Sequence, residues 1–265
     1  MINRYTANRN QQPGTKEYLV GVFHMKTRPN YGLDSPRIVA TLFVLGATLC
    51  CLAYVLASGW RWISLGIGVY FLFGALGMLF YSKVGKLRMR ERLLDRITWR
   101  GNERVLDVGC GRGLLTVAAA HRVPGGSVVG VDIWNPTALT SNRADSVLRN
   151  AEVEGVANRV EAKQGDARQL PFVDASFDVV VSNYVVHELK TREDRERMMR
   201  EVARVLKPGG RVALIDFIFT DDCVKDLASF GVDVDRVRDG FFSFWISAIL
   251  NLGAIKTYHV LGKKR

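Results

Sequence analysis

Three glycines within five residues, Gly109, Gly111 and Gly113, form a turn entered from Asp107, with Cys110 between the first two. A short β-type apolar run over 104–108 delivers the aspartate, and a helical pattern starts at once near Leu114. Glycine has no Cβ and tolerates positive φ, so such a turn lets backbone approach a ligand closely. The helix N-terminus behind it offers free N–H groups. Taken alone, this turn is shared by nucleotide, dinucleotide and sulfonium binders. The third glycine of the dinucleotide pattern G-x-G-x-x-G would fall at position 114, which is Leu. The Lys-Ser/Thr pair of a phosphate-binding loop is also missing, so neither NAD nor ATP fits well.

The residues able to act with this turn follow strand patterns of their own. The run 127–131 ends in Asp132, 160–164 runs into Gly165-Asp166, and 177–182 leads to Asn183, Tyr184 and His187. Helical patterns over 114–121, 136–154 and 191–206 alternate with them. Gly155 stops the second helix, and Lys207-Pro208-Gly209-Gly210 breaks the third before a strand over 211–217. A helix over 221–230, a strand over 232–238 and a last strand over 254–261 complete the pattern. This order predicts a doubly wound α/β fold with a mainly parallel seven-stranded sheet and helices on both faces. Ligands of such sheets sit beyond the carboxyl ends of the central strands, where Asp107, Asp132, Asp166 and Asn183 fall. His187 lies just past one of those ends, and its near-neutral pKa suits a general base. Its competing role is to shape or cap the following helix while Glu188 faces solvent. Tyr184 is placed to line an acceptor pocket, and Asp178, at the opposite end of its strand, reads as structural.

Four ordered stretches carry a family resemblance: VLDVGCGRG at 105–113, VVGVDIW at 128–134, QGDARQLPF at 164–172 with FDVVVSNYVVHEL at 177–189, and EVARVLKPGGRVALIDF at 201–217. In this order and spacing the chain resembles the class I S-adenosylmethionine-dependent methyltransferases, specifically the small-molecule and lipid branch related to the ubiquinone and menaquinone methyltransferases. The resemblance implies a Rossmann-like fold and S-adenosyl-L-methionine as cofactor. It places Asp107 and the backbone of Gly109, Cys110, Gly111 and Gly113 around the methionine moiety. Asp132 would take the ribose hydroxyls, since a carboxylate accepts two hydrogen bonds from a vicinal diol; its alternative is a helix N-cap. Ile133 or Trp134 would lie against the adenine face. Asp166 would accept from the adenine amino group, with Ala167 offering its backbone N–H; the alternative is a turn-forming aspartate. Asn183 would face the methionine end or the substrate. Methyl transfer from a sulfonium is an in-line displacement dominated by positioning, and a base is needed only when the acceptor carries a proton that must leave. The SNYV stretch lacks the Pro-Pro motif expected for nucleobase or amide nitrogen acceptors, three co-located cysteines for arsenite are missing, and no metal-ligand spacing is present.

The net charge of +11 is unevenly spread. Residues 1–37 carry +4, 38–81 carry +1, 82–100 carry +5, and 101–265 only +1. The basic excess brackets an apolar segment, which fits an anionic membrane surface better than a nucleic acid. Residues 38–57 and 62–81 are each twenty residues without charge, long enough to cross a hydrocarbon core of about 30 Å. The expected organisation is therefore a polar, disordered tail over 1–37, a transmembrane helical hairpin over 38–81, a basic juxtamembrane helix over 82–100 and a methyltransferase domain over 101–265. Basic residues on both flanks place both termini and the domain on the cytoplasmic side, with the Trp60 loop outside. The four cysteines form no disulfide framework, which suits a reducing compartment.

The expected function is methyl transfer to a lipophilic or membrane-proximal small molecule, with the bilayer as partner and no nucleic acid. Its alternatives are a soluble acceptor with the hairpin as a localisation device, or a non-catalytic cofactor-binding membrane scaffold. The apolar, aromatic segment 241–250 is too short to span a bilayer as a helix. It either packs on the sheet or touches membrane or acceptor.

Overall fold

Val105 and Leu106 point to opposite faces of one strand, and both are fully buried. That double burial is why the strands read as continuous apolar runs: each must satisfy a helical layer on either side. The computed structural model describes residues 28–135, 139, 142–238 and 257–265. Strands β1 (Arg104–Val108), β2 (Ser127–Asp132), β3 (Val160–Gln164), β4 (Phe177–Asn183), β5 (Leu206–Asp216), β6 (Val232–Arg238) and β7 (Tyr258–Lys264) form one seven-stranded sheet in the order β3-β2-β1-β4-β5-β7-β6. Among the described strands only β7 runs antiparallel to its neighbours, between β5 and β6. The expected doubly wound, mainly parallel sheet is therefore present.

The helices are α1 (Pro36–Leu52), α2 (Ser58–Phe80), α3 (Lys86–Leu94), α4 (Leu114–Arg122), α5 (Ala144–Val153), α6 (Arg192–Val205) and α7 (Thr220–Ser229). Val105 and Val179 meet Met89, Leu93, Leu115 and Ala151 from α3, α4 and α5 on one face. Leu106, Val129 and Val180 meet Met198, Val202 and Leu227 from α6 and α7 on the other. Thr191 caps α6, its hydroxyl accepting from the N–H of Asp194 at 3.0 Å.

Several boundaries differ from the sequence expectation. Lys207-Pro208-Gly209-Gly210 belongs to β5 as a bulge: Phe177 pairs with Leu206, and the next pair is Val179 with Arg211. Lys207 then reaches Asp178 at 2.9 Å, which holds the bulge to β4. Helix α5 is described from Ala144, preceded by Arg143 extended at φ −154°, and the expected start near 136 lies outside the described residues. The last strand is described from Tyr258, and the 241–250 segment lies outside the described residues.

The apolar hairpin also shifts. α1 has 17 residues, and the connection falls at 53–57, where Arg61 Nε donates to the carbonyl of Ala53 at 3.1 Å. Ser58-Gly59-Trp60-Arg61, expected as the turn, is the first turn of α2. α2 runs on through a π-helical turn, Tyr81–Gly85, into α3, so Ser58–Leu94 is one unbroken helix of 37 residues. Among the described residues it is the one helix long and apolar enough to cross a membrane; α1 is a shorter apolar helix. The basic segment packs as the domain's first helix, with Met89, Leu93, Leu94 and Ile97 buried and Val84 half-buried. Tyr31, expected in the disordered tail, is buried in the same core, and its hydroxyl donates to Glu154 at 2.6 Å.

Candidate functional site

β1 ends by burying Asp107 almost completely, and its carboxylate accepts from Thr116 Oγ1 of α4 at 2.6 Å. Burial pushes its pKa up to about 7, against the hydrogen bonds from Thr116. The glycine turn follows directly. Gly109 sits at φ +71°, and a Cβ there would stand 2.1 Å from Val185 Cγ2, so only glycine lets the turn pass under the exit of β4. The N–H groups of Gly109 and Cys110 donate to the carbonyl of Val131 at 2.8 and 3.1 Å, tying the turn to β2. The Cys110 thiol is buried and its pKa raised, which leaves it a packed thiol rather than a nucleophile.

Asp132 closes β2 beside this turn. Oδ2 accepts from the N–H of Gly111 at 2.8 Å and Oδ1 from the N–H of Trp134 at 2.6 Å. A carboxylate has about four lone-pair directions, so acceptor capacity remains on both oxygens. Trp134 turns back at φ +48°, its indole N–H 3.3 Å from the carbonyl of Gly111. Ile133 projects as an exposed apolar side chain from the same strand end. Asn183 closes β4, and its buried Oδ1 has no hydrogen-bond partner among the described residues. A buried acceptor left empty at a ligand edge fits an ammonium or N–H donor supplied from outside the chain.

Asp166 is engaged differently from expectation. Arg168 donates to its carboxylate through both Nε and Nη2, the latter at 2.6 Å, and through its own backbone N–H at 2.9 Å. Arg168 also reaches Asp194 at 3.2 Å. The Arg168 hydrogen bonds hold the Asp166 pKa below the usual carboxylate value. Ala167 packs against the core on the α6–α7 face of the sheet.

A second cluster stands at the ends of β4 and β5. The ring of His187 lies 4.7 Å from that of Phe217, and Tyr184 lies 6.2 Å from His187 and 5.9 Å from Phe217. Tyr184 adopts φ +55°, which turns the chain out of β4. His187 Nδ1 faces the buried carboxylate of Asp216 at 3.3 Å, and Nε2 faces Glu188 at 3.3 Å. Burial works to lower the imidazole pKa, but Asp216 and Glu188 outweigh it and the pKa is raised.

The structure thus gathers Asp107, the 109–113 turn, Asp132 and Asn183 at adjacent strand ends, and His187 with Tyr184 one strand further along. Asp178 lies at the opposite end, held by Arg100, the N–H of Arg104 and Lys207, in the structural place expected of it. Asp216 was missed. Its signal was available, since it closes a strand as an acid in Ile215-Asp216-Phe217, just as Asp107 and Asp132 do. Among the described residues no group of His, Cys, Asp or Glu is arranged to hold a metal ion. Asn183 Oδ1 and the Asp132 carboxylate could accept N–H and O–H donors at these strand ends, and Ile133 offers an apolar face beside them.

Residues 106–214 match a family model described as a methyltransferase domain. The chain is 36% identical over 154 residues to 27-O-demethylrifamycin SV methyltransferase of Amycolatopsis mediterranei, covering 57% of this chain and 51% of that protein. It is 34% identical over 128 residues to demethylmenaquinone methyltransferase of Lactobacillus johnsonii, covering 48% and 49%. The chain thus spans about half the length of these curated relatives. A SAM-dependent methyltransferase from Aquifex aeolicus shares the fold with a TM-score of 0.53 at 19% identity, over 68% of this chain and 92% of that one. Over residues 106–214 the chain is thus similar to methyltransferase domains, and its fold is one that S-adenosyl-L-methionine-dependent methyltransferases share.

Proposed function

We propose that the whole chain is a membrane-anchored methyltransferase acting on a lipophilic or membrane-proximal small molecule. The observation that carries this reading is the unbroken helix from the apolar hairpin into the domain core: Trp62, Phe73, Leu76 and Phe80 are exposed on it, while Met89 and Leu93 are buried under the sheet. A contiguous exposed apolar surface on a water-facing protein is costly, and bilayer hydrocarbon removes the cost. α1 and α2 would pass through the membrane as a two-pass hairpin, with the basic flanks and the domain on the cytoplasmic side. The names of the two curated relatives, which refer to a demethylrifamycin and a demethylmenaquinone, support an acceptor of the small-molecule class.

Asp107 and Asn183 would hold the methionine end of the cofactor, with the backbone of the 109–113 turn beside them. Asp132 would hold the ribose and Ile133 the adenine face. Asp166 and Ala167 would meet the adenine edge once Arg168 shifts its donors toward Asp194. S-adenosylmethionine supplies an electrophilic methyl group when bound. His187, oriented by Asp216, would accept the proton of an acceptor hydroxyl, and Tyr184 with Phe217 would wall the acceptor side. Holding the acceptor atom in line with the methyl carbon is the larger share of the work.

The test supplies isotope-labelled S-adenosylmethionine and a total membrane extract to the detergent-solubilised protein. Label in the lipid fraction with the wild type, and none with Asp132→Ala, is expected. Label confined to water-soluble products would favour a soluble acceptor. Absence of transfer to either fraction, with cofactor bound, would leave a binding scaffold.

A further inference from the structure

Lys86 is a lysine turned inward. It lies one residue past the π-helical turn and is only 4% exposed, while Arg88 on the same basic helix remains in solvent. Its ammonium donates to the carbonyls of Tyr31 and Gly32 at 2.9 and 2.8 Å and to the Asp34 carboxylate at 3.1 Å. These three acceptors match its three N–H groups. Ser82 closes the same clamp: its hydroxyl donates to Asp34 Oδ2 at 2.9 Å and accepts from the N–H of Asp34 at 3.2 Å.

What Lys86 holds lies across the outside of the glycine turn. The carbonyl of Asn30 accepts from Arg112 Nε at 2.8 Å and from Asn150 Nδ2 at 3.0 Å, and that same Asn150 amide donates to the carbonyl of Arg112 at 2.9 Å. Gly32 sits at φ +78°, and a Cβ there would stand 3.0 Å from Arg112 Cδ and 3.1 Å from Leu139 Cδ1. Asp34 bridges to Leu139, and Leu139 Cδ2 lies 3.3 Å from where a Cβ on Gly111 would be. Residues 30–34 thus brace both Arg112 of the turn and the Leu139 side chain resting on Gly111.

We propose that Lys86 is a positioning residue for the cofactor, holding residues 30–34 as the outer wall of the pocket formed by the 109–113 turn. This rests on the reading of that turn as the cofactor site. With Lys86 removed, two backbone carbonyls and a carboxylate lose their shared donor, the wall detaches from the helix, and Leu139 loses its support over Gly111.

Calorimetric titration of the full-length protein in detergent micelles with S-adenosylhomocysteine separates positioning from folding, because it returns a stoichiometry and a Kd together. Lys86→Met is expected to weaken the Kd about tenfold at unchanged stoichiometry, as for loss of a set of charge-assisted hydrogen bonds. A purely structural role would lower the stoichiometry and leave the Kd of the remaining folded fraction as it was, which would overturn the proposal. Asp34→Asn lies at the partly exposed side of the clamp and keeps the side-chain size, so it serves if Lys86→Met does not fold. A Kd weaker by about threefold is expected for it. Wild-type Kd in the folded variant or variants would overturn the proposal while leaving the cofactor site standing. Failure of the wild type itself to bind would overturn both.

Discussion

His187 and Asp216 form a pair in which one carboxylate holds both the ring and the backbone of the histidine. Asp216 Oδ2 lies 3.3 Å from His187 Nδ1 and accepts from the His187 N–H at 3.3 Å, while Oδ1 accepts from the N–H of Phe217 at 2.8 Å. With Nδ1–H donating to Asp216, Nε2 is the lone-pair nitrogen that can take a proton. Glu188, opposite Nε2, is mostly exposed and free to yield to an acceptor.

A base must be neutral to act, so kcat/KM is expected to rise with pH through the His187 pKa, which lies above 6.5. Asp216→Asn removes a group that raises this pKa and leaves burial, which lowers it. The acidic limb of the pH profile should therefore move to lower pH. His187→Gln should lower kcat by about a hundredfold, the smaller end of general-base effects, with cofactor Kd unchanged. The stability linkage runs the opposite way: the protonated pair stabilises the fold below pH 6.5 and that contribution is lost as pH rises through the raised pKa. A pH profile identical in Asp216→Asn and wild type would show that the pair does not set the base.

Asp132 organises the site before any ligand arrives, since its two oxygens hold Gly111 and Trp134. Asp132→Asn keeps the shape but turns one acceptor into a donor facing a backbone N–H. The Kd for S-adenosylhomocysteine should weaken by about ten- to a hundredfold, the range for loss of one charge-assisted contact plus a disturbed turn. Equilibrium binding measures this directly, and an unchanged Kd would remove Asp132 from the cofactor site.

Asp107 should show the opposite balance between stability and binding. Its folded pKa of about 7 lies above the ordinary aspartate value of 3.8, so the folded state keeps a proton that the unfolded chain releases. Stability from this group is fully present below 3.8 and is lost as pH rises through about 7. Asp107→Asn removes that loss. At pH 8 the cofactor-free variant should unfold several degrees higher than the wild type, roughly what 1–2 kcal/mol gives in a domain of this size, while its cofactor affinity falls. Thermal scans at pH 6 and pH 8 check this: equal pH sensitivity in the two proteins would contradict it.

What could be read from sequence follows the range of the forces involved. β1, β2 and β4 were legible because Val105-Leu106 and Val179-Val180 are apolar on both faces, a pattern set within one strand. Asp132 beside the glycine turn was legible for the same local reason. The bulge at 207–210 was not: Lys-Pro-Gly-Gly signals a break, and only pairing with β4 makes it part of a strand. Arg168 on Asp166 is an i, i+2 contact visible in Asp-Ala-Arg, yet the family resemblance directed attention to the aspartate alone. Tyr31 was beyond reach, since its burial depends on Glu154 and Arg90, neither of them near it in the chain.

The apolar hairpin is held by an approach that leaves no room for a side chain. A Cβ on Gly68 would stand 2.7 Å from Cys50 Sγ and 2.9 Å from the carbonyl of Gly46, and one on Gly46 would stand 2.8 Å from Leu72 Cγ. Ser64 adds a hydrogen bond across the pair, its hydroxyl donating to the carbonyl of Leu49 at 2.7 Å. Small residues at such a crossing let backbones pack closely, which is the main source of helix association where there is no water to drive it. Gly68→Leu must push α1 away from α2 at a cost of about 1–3 kcal/mol, the usual range for overpacking. Denaturant titration in micelles, followed by fluorescence of Trp60 and Trp62 at the loop end, should show the hairpin opening earlier in the variant. Cofactor binding should persist, because Asp132 and the 109–113 turn lie in the domain rather than on these helices. A hairpin transition unmoved by leucine at position 68 would mean that this crossing does not hold the two helices together.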